Sequence, residues 1–312
     1  MPTMSSRRSG PDRRHFLGGA AALLGGTVAF PFARAFAQTL STGSAELTVV
    51  SDGMMTLPLG LIFPDAPQEE LVKLLEEYGQ PADAMRPDCN VTLVRTGDRL
   101  AIFDVGAGPN FMSSTGKLLG SLAAAGVAPG DVTDVVITHA HPDHIWGLTD
   151  DFDELVFADA DYHIGAREWE FWSSPDAMAQ MPEDRQTFVV GAQNRFAALD
   201  GRVNLIGNGD EVLPGIEAME TPGHTPGHLS FMVHGPEPVL IVGDAIGNDT
   251  VAFAHPEWPT ASDQDPALGA KTRAALLDRL AGDKARAIGF HFPHPGAGIV
   301  ERRGAAFVYV AA

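Results

Sequence analysis

Apolar residues fall at every second position over residues 46–51, 90–95 and 100–105, the pattern of strands with one buried face, and Gly97-Asp98 is a hairpin turn signal between the last two. A 3.6-residue spacing over 112–125, closed by Gly126, predicts an amphipathic helix. The unbroken apolar run 135–138 predicts a buried strand. Further helices are predicted over 68–78, 166–172, 184–199 and 266–280, and further strands over 203–206, 216–220, 230–233, 238–242, 287–290 and 306–310. Strands and helices interleave without an internal repeat or low-complexity linker, so one α/β domain over residues 38–312 is expected. Residues 54–86 fit no simple pattern, being broken by Pro58, Pro64, Pro67 and Pro81; they are expected to lie over a functional site or at an oligomer interface.

The first 37 residues read as an address. Arg7-Arg8 and Arg13-Arg14 precede an uncharged run from Phe16 to Phe32, and the run leads to Ala35-Phe36-Ala37, a pattern that signal peptidases accept. Arg13-Arg14-His15-Phe16-Leu17 resembles the twin-arginine export consensus, with Asp12 in place of the usual Ser or Thr. The run is shorter than the ~20 residues of a membrane span. The expectation is therefore export in a folded state, cleavage before Gln38, a periplasmic or secreted product, and no stable membrane anchor after cleavage.

Charge narrows the partners. With 40 acidic against 21 basic residues the chain carries a net charge of −19, and cleavage would remove five of its arginines. Nucleic acid and anionic lipid both need basic residues to neutralise them, so neither is expected; a small-molecule substrate is. Cys89 is the single cysteine, which excludes an intramolecular disulfide and a thiolate cluster. Any metal must be held by nitrogen and oxygen, and Cys89 reads as a small buried hydrophobe.

Four segments carry that chemistry. His139-Ala-His141-Pro-Asp143-His144 places three imidazoles and a carboxylate directly after a buried strand. Imidazole and carboxylate suit zinc, manganese, iron or cobalt, and the tight spacing lets the residues face two adjacent ions. Thr221-Pro-Gly-His224-Thr-Pro-Gly-His228, Gly243-Asp244 and Gly289-Phe-His291-Phe-Pro-His294 each follow another predicted strand. Four strand-end loops bearing metal-type ligands imply one shared rim. Asp104, at the end of its strand, is a candidate to orient a ligand histidine; His228 reads as a structural partner within its turn, His294 as a rim or supporting residue, and His163, His234 and His255 as ordinary surface or core residues. Gly106 and Gly108 mark a tight turn, since no phosphate-loop Lys-Ser/Thr follows them.

The ordered set HxHxDH, GHTPGH, strand-GD and a late histidine, spanning residues 90–310, resembles the metallo-β-lactamase superfamily. That resemblance implies an αββα sandwich with a binuclear centre, most simply of two Zn2+ ions. In it His139, His141 and His224 would hold one ion, Asp143, His144 and His291 the other, and Asp244 would bridge them. Aspartate at the bridging position sets the chain apart from the true β-lactamases that carry cysteine there. Within the superfamily it is similar to the methyl parathion hydrolase and lactonase branch, and Trp172 would then line the leaving-group pocket. The resemblance also suggests a homodimer.

The implied chemistry is hydrolysis. Two ions about 3.5–4 Å apart lower the pKa of a shared water toward neutrality, so the hydroxide attacks without a serine or cysteine nucleophile. Asp143 would orient it. The expected reaction is opening of a lactone or cleavage of an ester, phosphotriesters included. The competing readings are β-lactam or thioester hydrolysis, an oxygen-dependent reaction with iron, and, from another class, a periplasmic metal-binding protein without catalysis.

Overall fold

A computed structural model of the chain describes residues 39–199 and 201–312; the export signal expected over 1–37 lies outside them. Among the described residues, two seven-stranded sheets dominate. The first is built from β1 (Thr39–Ser41), β2 (Glu46–Met54), β5 (Asp88–Thr96), β6 (Arg99–Phe103), β7 (Asp134–Ile137), β8 (Asp161–Gly165) and β9 (Val203–Ile206), in that order. The second runs β10 (Glu211–Leu213), β11 (Ile216–Glu220), β12 (Leu229–Val233), β13 (Val239–Gly243), β14 (Arg286–Gly289), β15 (Ala297–Arg303) and β16 (Ala306–Ala311). A two-stranded ribbon of β3 (Leu57–Pro58) and β4 (Ala84–Met85) lies apart from both.

The period of two decides how these sheets stack. Along β6, Leu100 and Ile102 enter one core while Ala101 and Phe103 enter another. The second of these cores is shared with Phe231, Val239 and Ile241 of the other sheet, so it is the layer between the sheets. On the outer face of the first sheet pack α3 (Leu118–Ala124), α5 (Ala166–Ser173) and α7 (Gln186–Leu199), and on the outer face of the second pack α8 (Val251–Ala254) and α9 (Pro266–Asp283). This is the expected αββα sandwich, the metallo-β-lactamase fold. The remaining short helices are α1 (Leu59–Ile62), α2 (Gln68–Glu77), α4 (Pro142–Ile145) and α6 (Ala177–Gln180).

Strands β6 to β9 are mutually parallel, as are β13 and β14. The loops after β6, β7, β13 and β14 therefore leave their sheets at carboxyl ends, where open α/β sheets build their sites.

Two local readings are corrected. The helix expected over 112–125 begins only at Leu118. Asp52, fully buried, takes two amides of that stretch: its carboxylate accepts from Gly116 N at 3.1 Å and Leu118 N at 2.9 Å, and also from Ala107 N at 2.9 Å. Gly116 adopts φ +72°, so the chain turns there. Strand β8 escaped notice because its Asp161-Tyr-His163 start breaks the apolar pattern. His163 is buried and paired with Asp134 at 3.1 Å, and Asp134 in turn binds Arg99.

Residues 55–85 form a strap with a small core of its own, in which Leu59, Phe63, Leu71 and Leu75 meet Val251 of α8. Cys89 is buried, as expected, and burial pushes its thiol up to about 11.

Asp52→Ala should leave two buried amides, Ala107 N and Leu118 N, unpaired and cost about 2 kcal/mol or more of unfolding free energy, at ~1–3 kcal/mol for each unsatisfied group. Chemical denaturation measures it; a loss below about 1 kcal/mol would show that the Asp52 carboxylate does not organise this turn.

Candidate metal centre

The local sequence explains how each ligand arrives. Strand β7 delivers His139, and Pro142 at the first position of α4 opens a single helical turn that sets Asp143 and His144 on the same side as His141. Gly223 and Gly243 let the next two loops turn, with φ +128° and +54°. A Cβ at Gly243 would stand 2.7 Å from His228 Nε2, so only glycine admits that imidazole beneath Asp244.

The structure brings all seven expected ligands together. His139, His141 and His224 form one group and Asp143, His144, Asp244 and His291 a second, with the ligand atoms of each group within 4.8 Å of one another. Asp244 faces both. Its Oδ2 lies 3.3 Å from His224 Nε2 and 3.1 Å from His291 Nε2, and its Oδ1 lies 3.3 Å from His144 Nε2. Asp143 Oδ2 is 3.4 Å from His144 Nε2 and 3.3 Å from His291 Nε2. Two ligand atoms on one zinc ion, each at ~2.0–2.1 Å and tetrahedrally disposed, stand roughly 3.3 Å apart. The spacing is therefore that of co-ligands.

Hydrogen bonding fixes which nitrogen is free. His144 Nδ1 donates to Asp104 Oδ2 at 2.8 Å, His224 Nδ1 to Asp263 Oδ1 at 3.1 Å, His291 Nδ1 to the Asp88 carbonyl at 2.8 Å, and His139 Nδ1 to Thr138 Oγ1 at 3.0 Å. With Nδ1 carrying the proton, Nε2 keeps its lone pair toward the cluster. His141 differs, presenting Nδ1 to His224 Nε2 at 2.9 Å. Five buried atoms, His139 Nε2, His141 Nε2, His144 Nε2, Asp143 Oδ2 and Asp244 Oδ1, make no hydrogen bond. Buried polar atoms left this way are costly, and so many at one point fit a cation. The donor set fits two divalent ions, and the site is a binuclear metal centre of histidine and aspartate.

The electrostatics agree. Burial, then the neighbouring imidazoles, hold His139 and His141 well below the usual histidine range, so both stay neutral. Burial also opposes charge on His144 and His291, but Asp244 and the carboxylates around it push both well above that range. Against the same burial, these imidazoles hold Asp143 and Asp244 ionised. The carboxylates thus demand positive charge in the cluster, which protons on His144 and His291 provide and a divalent ion would replace.

Supporting residues are partly as expected. Asp104 orients His144 and also accepts from Thr138 N and Oγ1, while holding φ +62°, a left-handed conformation that aspartate tolerates better than most residues. His228 is locked between Thr221 Oγ1 at 2.8 Å and Asp244 N, from which its Nε2 accepts at 3.0 Å; burial drops it to about 3. His294 Nδ1 lies 2.7 Å from Asn90 Oδ1.

Trp172 is a correction. It is fully buried and does not line the cavity above the ligands; its indole lies edge-on to His141 with centroids 5.8 Å apart, and its Nε1 donates to Glu168 at 2.7 Å. The helix α5 turns it inward because residues 168 and 172 share one face. The cavity, about 310 Å³, is walled instead by the strap, through Leu57, Ile62 and Phe63, and by Phe111, Phe188 and Trp258. His255, expected to be unremarkable, also lines it and stacks on Trp258 at 3.9 Å. No periodic pattern announces a wall drawn from segments so far apart in sequence.

Sequence reasoning also missed Glu168 and Asp263. The Glu168 carboxylate accepts four hydrogen bonds: Ala140 N at 2.9 Å and Trp172 Nε1 at 2.7 Å on one oxygen, Thr225 Oγ1 at 2.7 Å and Gly227 N at 2.9 Å on the other. It ties the His139–His141 loop to the His224 loop. Burial pushes its carboxyl upward, against those four donors. The available sequence signal was a lone glutamate early in a helix, which is usually solvated. Glu168→Gln turns an amide N–H toward a donor and should weaken zinc binding about 10–100-fold. Chelator competition measures this; unchanged affinity would mean that the loop holds its ligands without Glu168.

With this geometry in hand, comparison with known proteins is direct. Residues 85–291 match the family described as the Metallo-beta-lactamase superfamily. The chain is 30% identical over 211 residues to metallo-beta-lactamase domain-containing protein 1 of Xenopus laevis, covering 65% of this chain and 73% of that protein. It is 32% identical over 127 residues to the N-acyl homoserine lactonase AttM of Azorhizobium caulinodans, covering 39% of this chain and 44% of that one, so the match spans under half of that lactonase. AidC, a dizinc quorum-quenching lactonase solved with its product N-hexanoyl-L-homoserine, superposes with a TM-score of 0.84 at 29% identity, over 88% of this chain and 97% of AidC. The chain belongs to the metallo-beta-lactamase superfamily and is a metal-dependent hydrolase.

Proposed function

We propose that the protein opens lactones, with esters and phosphotriesters of similar shape as further substrates. The observation that carries this reading is a pair of ligand groups sharing Asp244 at the floor of a cavity with apolar walls. Lactonases among its relatives support the same substrate class. In this reading His139, His141 and His224 would hold one ion, Asp143, His144 and His291 the other, and Asp244 would serve both. When bound, two such ions acidify water and polarise the substrate oxygen.

The chain's own residues then do the following. Asp143, kept ionised by His144 and His291, would orient the nucleophile through its carboxylate. Asp104, Asp263 and the Asp88 carbonyl hold three imidazoles in one tautomer, so the lone pairs face the centre before substrate arrives. Ile62, Phe63, Phe111, Phe188 and Trp258 exclude water and receive the apolar part of the substrate. No seryl or cysteinyl nucleophile is needed, and Cys89, buried with its thiol pushed to about 11, is in no state to act as one.

Purified, zinc-loaded protein should hydrolyse an N-acyl homoserine lactone at least tenfold more efficiently, in kcat/KM, than a β-lactam of similar size, with an aryl ester and methyl parathion completing the panel. Preference for the β-lactam would overturn the substrate. Asp244→Ala should retain at most one metal equivalent and lose on the order of 10²–10³ of the activity. Two equivalents with normal turnover in that variant would remove Asp244 from the bridging position.

A further inference from the structure

The loop between Asp244 and α8 carries a polar side chain to which the chemistry above gives no work. Asn248 is 8% exposed and borders the same cavity as His141, Asp143, His224, Asp244 and His291. Its Oδ1 accepts from Thr250 N at 3.2 Å and from Ala252 N at 3.0 Å. Those two amides are donors only, so they settle the orientation of the carboxamide: reversing it would set N–H against N–H. The –NH2 group therefore points away from the backbone it caps. Among the described residues Nδ2 meets no protein acceptor, and it is not among the buried atoms sealed from solvent.

We propose that Asn248 Nδ2 is a substrate-facing hydrogen-bond donor, a specificity-determining contact that selects substrates bearing an acceptor oxygen outside the bond that is cleaved. The amide carbonyl of an N-acyl lactone is such an acceptor, and this choice of probe rests on the lactonase reading above.

The ions' ligand atoms are all accounted for by seven other residues, so Asn248 is not one of them. The surrounding wall is mostly apolar, with Ile62, Phe63, Val251 and Trp258 nearby in the lining, and a donor there has few competitors. Of the two arginines in that wall, Arg273 is already engaged by the carbonyls of Pro256 and Trp258 and by Asp263, and Arg185 donates to the Ala261 carbonyl. A fixed donor in an apolar wall discriminates well, because a substrate without the acceptor leaves the N–H unpaired.

The test is calorimetric and needs no turnover. Zinc-loaded protein is titrated with N-hexanoyl-L-homoserine and with its counterpart in which two methylenes replace the amide. Wild type should bind the amide probe about tenfold more tightly or better. Asn248→Asp retains the oxygen that caps Thr250 N and Ala252 N but loses the donor, so it should keep the wild-type Tm and metal content while the preference collapses to within about twofold. Asn248→Ala, which adds no charge, should lose the preference equally. Retained preference in both variants, or none in wild type, overturns the proposal. If wild type shows the preference and both variants lose it, but the protein does not open the lactone, the lactonase reading fails and the Asn248 contact stands.

Discussion

Two carboxylates, Asp143 and Asp244, are ionised within a cluster of imidazoles that the fold has removed from water. Such burial is unfavourable for every member taken alone: isolated charges in an apolar interior cost several kcal/mol each even after relaxation. Positive charge placed among them reverses the balance. The cluster therefore works as a cation site in search of its ions, and the lack of hydrogen bonds at five of its atoms expresses the same demand. Everything around it serves to keep that arrangement from collapsing into internal ion pairs of poor geometry.

The sandwich provides the frame. Ligands come from loops after β7, β11, β13 and β14, which belong to different sheets, so the site exists only when the two sheets are packed against each other. The layer between them, with Phe103 and Phe231 edge-on at 5.1 Å, is thus part of the active centre's support. Closer in, Asp104, Asp263 and Glu168 are buried acids with no direct part in holding ions. Each turns an otherwise mobile loop or ring into a fixed one, which is how such a centre reaches useful affinity without thiolate. The acidic character of the whole chain suits a protein that must collect cations.

Much of this was legible in the sequence because metal ligation is written in short, dense motifs. Three histidines and an aspartate in six residues have few other uses, and the apolar runs preceding them located the strand ends. Strands such as β9 and β11 were recovered residue for residue, since apolar positions recur along each and no glycine or proline interrupts them. What stayed hidden was whatever depends on long-range packing. Asp52 shortens α3 from a position more than sixty residues upstream in sequence, Glu168 joins two loops across the site, and Trp172 turns its ring into the core rather than the cavity. The strap over residues 55–85 could be guessed to cover something. Its contribution to the cavity wall depended on where its own small core docks, against Val251.

In the proposed centre one aspartate, Asp244, joins two ions. Anomalous diffraction from crystals of the zinc-loaded protein tests it most directly. Two peaks about 3.5–4 Å apart, one against His139, His141 and His224 and the other against Asp143, His144 and His291, with Asp244 between them, are the predicted result. A single peak, or two peaks with Asp244 bound to only one, would contradict it.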